Sequence, residues 1–145
     1  MLRTVLAVAA IAIGATAVVA QSDPIATRKQ IMKDVGAAAK TGGSFAKGEV
    51  PYDQAKAQAI FATFADAGAK MPALFPENSK TGGETAALPA IWENMADFKG
   101  RYDKFAADAK AAQASIKDLD SFKAAFSGVA KNCGGCHETY RAKKS

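Results

Sequence analysis

The sequence has little of what strands, enzyme active sites or nucleic-acid surfaces need. Beyond its N-terminus it has few β-branched residues and no sustained alternation of polar and apolar residues, so strands are not expected. It offers no paired acid and base, no activated nucleophile and no phosphate loop, so we predict that it is not an enzyme. The net charge is +5, but the lysines are spread along the chain, which argues against a nucleic-acid partner.

The N-terminus has the pattern of a secretory signal peptide. Arg3 gives a basic start, Val5 to Val19 form an apolar run, and small residues lead to a cleavage site after Ala20. A retained membrane anchor is the alternative, although the run is short for a span of about 20 residues. We therefore expect a periplasmic protein with no membrane span in its mature form, made of a signal peptide (1–20) and one domain (21–145).

Apolar residues recur at steps of three and four in four segments of the mature chain, as on helices that bury one face. The first segment opens at Asp23 and Pro24, the second covers roughly Tyr52 to Lys70, the third starts at Pro89, and the fourth starts near Asp118 or Asp120. Short or medium connections make neighbouring helices antiparallel. The prediction is an all-α fold, an up-down four-helix bundle.

Glycine and proline mark two irregular places in this pattern. Gly42 and Gly43 fall inside the first segment, where each costs about 1 kcal/mol in a helix interior, so local sequence predicts fraying or termination there. The stretch from Met71 to Leu88 contains two prolines and two glycines and is predicted to be a long loop. Loops of that length in a compact domain usually carry a function.

The fourth segment contains both cysteines and the only histidine of the chain, in the order Cys133-Gly134-Gly135-Cys136-His137. On a helix, residues three and four apart share a face. Two thiols at this spacing can add to the vinyl groups of one haem while the adjacent imidazole reaches the iron. The motif therefore predicts one covalently attached haem c.

These side chains have two other possible uses. A disulfide between Cys133 and Cys136 is possible in an oxidising compartment, but it leaves His137 without a role and no thioredoxin-like βαβ pattern surrounds it. A structural zinc site needs four ligands, and the chain offers two cysteines and one histidine with no second cluster. The spacing favours haem over both.

Three methionines could supply a second axial ligand, since no second histidine exists and Met1 leaves with the signal peptide. Met95 lies on a packing stripe and Met71 at a helix end, whereas Met32 shares a stripe with Arg28 one turn earlier. A guanidinium at that position could pair with a haem propionate. The alternative is that Met32 is an ordinary core residue and Arg28 a surface charge.

A haem motif in the last fifteen residues resembles the class II c-type cytochromes, the cytochrome c-prime family of four-helix bundles. The resemblance spans essentially the whole mature chain. It is carried by the segments 28–33, 74–76, 87–89, 91–92 and 133–141. It implies a first helix that continues through Gly42 and Gly43, against the local expectation.

The resemblance also implies roles for six residues: thioether formation by Cys133 and Cys136, proximal ligation by His137, distal ligation by Met32, propionate binding by Arg28, and a basic side chain beside the imidazole at Arg141. For Arg141 the alternative is a solvated arginine at a helix C-terminus. The segment around Met32 looks more like the low-spin cytochrome c-556 subgroup, whose iron has a methionine ligand, than like the high-spin members, which bind nitric oxide or carbon monoxide.

The main functional hypothesis is a periplasmic electron carrier with iron ligated by His137 and Met32. Its redox partner protein would meet the exposed haem edge, guided by Lys131, Lys143 and Lys144, or these lysines only solubilise the C-terminus. The alternative hypothesis is a five-coordinate protein that binds nitric oxide or carbon monoxide. The family implies a monomer or a homodimer.

Overall fold

The computed structural model describes residues 23–143, and the predicted signal peptide (1–20) lies outside the described residues. Within residues 23–143 there are four long α-helices and one short one: α1 (Pro24–Lys47), α2 (Gln54–Lys70), α3 (Ala90–Glu93), α4 (Met95–Ser115) and α5 (Leu119–Tyr140). The predicted long loop also contains two short 3-10 helices, Met71–Leu74 and Glu77–Ser79. α1 packs on α2, α2 on α4, α4 on α5, and α5 on α1, so the long helices close a ring of four. The predicted all-α four-helix bundle is confirmed. No helix in the described part of the chain is long and apolar enough to cross a membrane.

Side-chain caps start three of the four long helices, at Asp23 and Asp118 as the sequence predicted and at Asp53, close to the predicted start of the second helix. The Asp23 carboxylate accepts from Ile25 N with Pro24 in the first turn, Asp53 accepts from Lys56 N, and Asp118 forms a reciprocal capping box with Ser121. Each of these carboxylates satisfies a backbone N–H that the helix leaves unpaired.

α1 runs through Gly42 and Gly43 to Lys47, so the local expectation of fraying was wrong. The ring of Phe126 covers Gly42, and a Cβ at that position would lie 2.3 Å from its Cε2 atom. Packing against α5 thus offsets the low helix propensity of glycine. The helix ends at Gly48, whose φ of 72° is the left-handed conformation that glycine adopts without strain.

The third predicted helix is interrupted at Asn94, which has φ −127° and ψ 46° and separates α3 from α4. The short α3 directs Trp92 toward the preceding loop, where its indole N–H donates to Phe75 O at 3.0 Å and its ring meets the Phe75 ring edge-on. The break leaves no sign in the sequence, because the periodicity of apolar residues continues across Asn94.

Aromatic side chains fill the bundle core. The rings that are essentially inaccessible to solvent are Phe45, Phe61, Phe64, Phe98 and Phe122. They contact one another and their neighbours mostly edge-on or at a tilt, with ring centroids about 5 to 6 Å apart. This core holds α5 at a fixed rotation, so one face of its last turns points into the bundle.

Candidate haem site

The Cys133-to-His137 motif lies in the last two turns of α5, as predicted. Cys133, Cys136 and His137 are all half-buried and line the same two cavities. The larger cavity has a volume of about 380 Å³ and the smaller about 40 Å³. Among the described residues no group of three or more His, Cys, Asp or Glu side chains could hold a metal ion by itself.

Burial tunes the side chains of the motif. It raises the pKa of the Cys133 and Cys136 thiols, and for Cys136 the nearby positive charge of Arg101 opposes this. It lowers the pKa of His137, and the charge of Arg141 lowers it further. A neutral imidazole keeps a ring nitrogen lone pair available for iron. Arg141, itself exposed, therefore lies where its charge reaches the imidazole, and it also lines the larger cavity.

The remaining walls of the larger cavity are mostly apolar and come from α1, α3, α4 and the long loop. Its apolar lining includes Ile25, Val35, Phe75, Ile91 and Phe98. Two thiols, one imidazole and an apolar slot are the features that a covalently held porphyrin requires. The residues present thus fit a haem.

Met32 borders both cavities that His137 borders, and it is half-buried on α1. Met71 is buried and lines the larger cavity only. Met95 packs against the core and does not line either cavity. Of the three candidate methionines, Met32 is therefore the one that lines both cavities together with His137, and it does so from α1.

Arg28 lines the larger cavity, but its guanidinium donates hydrogen bonds to the long loop. Nη1 donates to Leu74 O and Ser79 Oγ, both at 2.9 Å, and Nη2 donates to Ser79 O at 3.0 Å and Thr85 Oγ1 at 3.2 Å. The guanidinium also lies 4.3 Å above the centre of the Phe75 ring. Only 5% of Arg28 is exposed, so the surface-charge alternative is wrong. Binding of a propionate by Arg28 stays a prediction.

The far end of the same loop is fastened to the end of α5. Leu88 N donates to Tyr140 O at 3.0 Å and Ala142 N to Ala86 O at 2.8 Å, on either side of a bridge between Ala87 and Arg141. The loop therefore joins the α1 side of the cavity to the turn that carries His137. Sequence reasoning predicted that this loop matters but not its contacts, because they depend on backbone carbonyls that every sequence has.

Sequence reasoning also missed two α4 residues at the site, Arg101 and Tyr102. Both line the smaller cavity. Tyr102 is buried beside the larger cavity as well, and burial raises the pKa of its phenol well above the ordinary value. The spacing of Arg101 four residues after Asp97 indicated only an ion pair on a helix surface, which does not single out a site.

Comparison with known proteins agrees with this geometry. A family model described as Cytochrome C' matches residues 23–141. Cytochrome c' of Rhodopseudomonas palustris (strain ATCC BAA-98 / CGA009) is 51% identical over 135 residues, which cover 93% of this chain and 92% of that protein. Cytochrome c-556 of the same strain is 38% identical over 148 residues, covering 99% of each.

A solved structure of cytochrome c' from Rhodopseudomonas palustris superposes with a TM-score of 0.83 at 53% identity, over 86% of this chain and all of that one. The predicted resemblance and the predicted cofactor, one covalent haem c at Cys133 and Cys136, are confirmed. With its helical ring, its terminal motif and relatives matched along nearly their whole length, this chain belongs to the cytochrome c' family.

Proposed function

We propose that the chain is a high-spin cytochrome c' whose bound haem takes up nitric oxide or carbon monoxide on the α1 side of the cavity. The observation that carries the proposal is the 51% identity to a cytochrome c' along 93% of the chain, against 38% to a cytochrome c-556. This favours the alternative hypothesis drawn from the sequence over the electron carrier.

Each residue of such a site would have a separate role. Cys133 and Cys136 hold the porphyrin, and neutral His137 binds the iron from α5. When bound, the haem would supply the iron that takes up a diatomic gas. Met32 and Val35 on α1 would limit the space for the gas and exclude water from this side of the cavity, because their side chains are apolar.

The electron carrier remains a second candidate, and the position of Met32 supports it. Among the methionines of the described chain, Met32 is the one that borders both cavities with His137. A thioether opposite imidazole would favour the ferrous state and fill the iron's sixth position. In that case the apolar slot next to Met32 would not admit a gas.

Absorption spectra of the ferric and ferrous holoprotein, with and without carbon monoxide, separate the two candidates. The proposal expects high-spin spectra, a carbon monoxide complex, and no change of spin state in Met32→Ala. A low-spin spectrum with a sulfur-to-iron charge-transfer band, converted to high-spin by Met32→Ala, contradicts the proposal and supports the carrier. Met95→Ala is the matched control, since Met95 lies outside both cavities.

We also propose a periplasmic location, with cleavage after Ala20, no catalytic reaction, no nucleic-acid partner, and a monomer or homodimer as the working form. Of the two candidate functions, electron transfer is the one that requires a redox partner protein. The mass of the protein recovered from the periplasmic fraction tests the location, because cleavage after Ala20 and one covalent haem fix the expected value.

A further inference from the structure

We infer that Arg101 on α4 is a positioning residue for the haem-binding turn of α5, and that its fixed positive charge favours the ferrous state of the bound haem. The inference relies on covalent haem binding, which the family establishes. It holds for both functional candidates above, because neither involves Arg101.

The first step is a contact between two helices. Arg101 Nη1 donates to Gly135 O at 2.7 Å, and it also lies 3.4 Å from Thr139 Oγ1. Gly135 is one of the two residues between the haem-binding cysteines. The guanidinium thus binds the backbone of the motif itself and ties it to α4, 34 residues earlier in the chain.

This hydrogen bond matters because the two glycines of the motif have low helix propensity. Gly134 and Gly135 are adjacent glycines, and a Cβ built at either position would meet nothing within 4 Å beyond its chain neighbours and the local backbone of its own helix. Packing of neighbours therefore does not compensate for their low helix propensity, in contrast to Gly42 under Phe126. The bond from Arg101 fixes the carbonyl at this point.

Arg101 is held in place by two further groups. Its Nε donates to Asp97 Oδ2 at 2.8 Å, and its guanidinium carbon lies 5.2 Å from the centre of the Tyr140 ring. The Tyr140 hydroxyl donates to the same Asp97 oxygen at 2.5 Å. Asp97, Arg101 and Tyr140 therefore form one cluster that spans α4 and the end of α5.

The position of the charge gives the second step. Arg101 lines the smaller cavity together with Cys133, Cys136 and His137, so its side chain lies beside the haem-binding residues. Its partner Asp97 is the more solvated of the two, with 54% of its side chain exposed against 37% for Arg101. A nearby cation repels the ferric site more than the ferrous site, which carries one positive charge less, and therefore favours reduction.

The experiment measures the reduction potential of matured holoprotein by spectroelectrochemical titration. We expect Arg101→Gln to shift the midpoint potential downward and Asp97→Asn to shift it upward. Lys104→Gln is the matched control, because it removes one charge from the same helix and Lys104, which pairs with Asp108, lines neither cavity. The control should shift the potential less than Arg101→Gln does.

Arg101→Lys separates charge from positioning, since it keeps the cation but loses the forked donor geometry. We expect it to keep a near-wild-type potential while hydrogen exchange at the amides of residues 136–140 becomes several-fold faster. An Arg101→Gln potential no lower than that of Lys104→Gln overturns the electrostatic part of the inference. Unchanged amide exchange in both Arg101 variants overturns the positioning part. Neither measurement depends on whether the protein binds gas.

Discussion

The ring of Phe126 on α5 lies directly against the Cα of Gly42 on α1, so close that a Cβ at Gly42 would be 2.3 Å from the ring. Gly43, the next residue, has open space around it. The pair gives a matched test of close helix packing. We expect Gly42→Ala to lower the free energy of unfolding by about 1–3 kcal/mol through overpacking.

Gly43→Ala should instead raise the free energy of unfolding by up to about 1 kcal/mol, because alanine is the better helix former. Urea unfolding of both holoprotein variants, followed by circular dichroism, measures the difference. Equal effects of the two substitutions would contradict the contact between Gly42 and Phe126.

The buried Arg28 provides a test of the loop. Arg28→Gln removes the donors for Leu74 O, Ser79 and Thr85 in a buried place, and we expect a loss of about 2–4 kcal/mol in the free energy of unfolding. Lys29→Gln is the control, since its ion pair with Glu84 is exposed and worth less than about 1 kcal/mol.

Urea unfolding measures both Arg28 and Lys29 variants, and limited proteolysis reports on the loop itself. We expect Arg28→Gln to be cut between residues 74 and 87 faster than Lys29→Gln. Equal cleavage rates in the two variants would show that Arg28 does not fasten the loop.

The cap of the haem-binding helix predicts a pH dependence. Hydrogen bonds from the hydroxyl and backbone N–H of Ser121 lower the pKa of Asp118 below its ordinary value of 3.8. The folded state thus favours the carboxylate, so its stabilising effect is present above pH 3.8 and is lost as the pH falls through the lower pKa of the folded protein.

Asparagine also caps helices well but does not titrate. The stability difference between wild type and Asp118→Asn should therefore be larger at pH 7 than at about pH 2.5, measured by urea unfolding. The matched control is Asp120→Asn, whose carboxylate accepts no hydrogen bond from the described residues. A difference for Asp118→Asn that does not change with pH would rule out the proposed linkage.

The sequence predicted the bundle and the haem motif well because both depend on local patterns. Helical periodicity marks the buried faces, and the spacing from Cys133 to His137 places three side chains on one face whatever surrounds them. The caps at Asp23 and Asp118 are likewise local, because a carboxylate reaches an N–H only two or three residues away.

What the sequence did not reveal depends on partners far along the chain. The continuation of α1 past Gly42 depends on packing against the ring of Phe126. The hydrogen bonds of Arg28 to the loop depend on the carbonyls of Leu74 and Ser79. Arg101 meets Gly135 through a backbone oxygen, which leaves no trace in residue type. Such contacts follow from tertiary packing and not from a local pattern.

The long loop is fastened at both ends by bonds between residues more than fifty positions apart, Arg28 with Ser79 and Ala86 with Ala142. Closing loops of this length costs conformational entropy. The contacts that offset this cost form only after the helices that bring the ends together have assembled. The loop should accordingly order late in folding and open first in local unfolding. Its opening should cost less free energy than unfolding of the whole bundle.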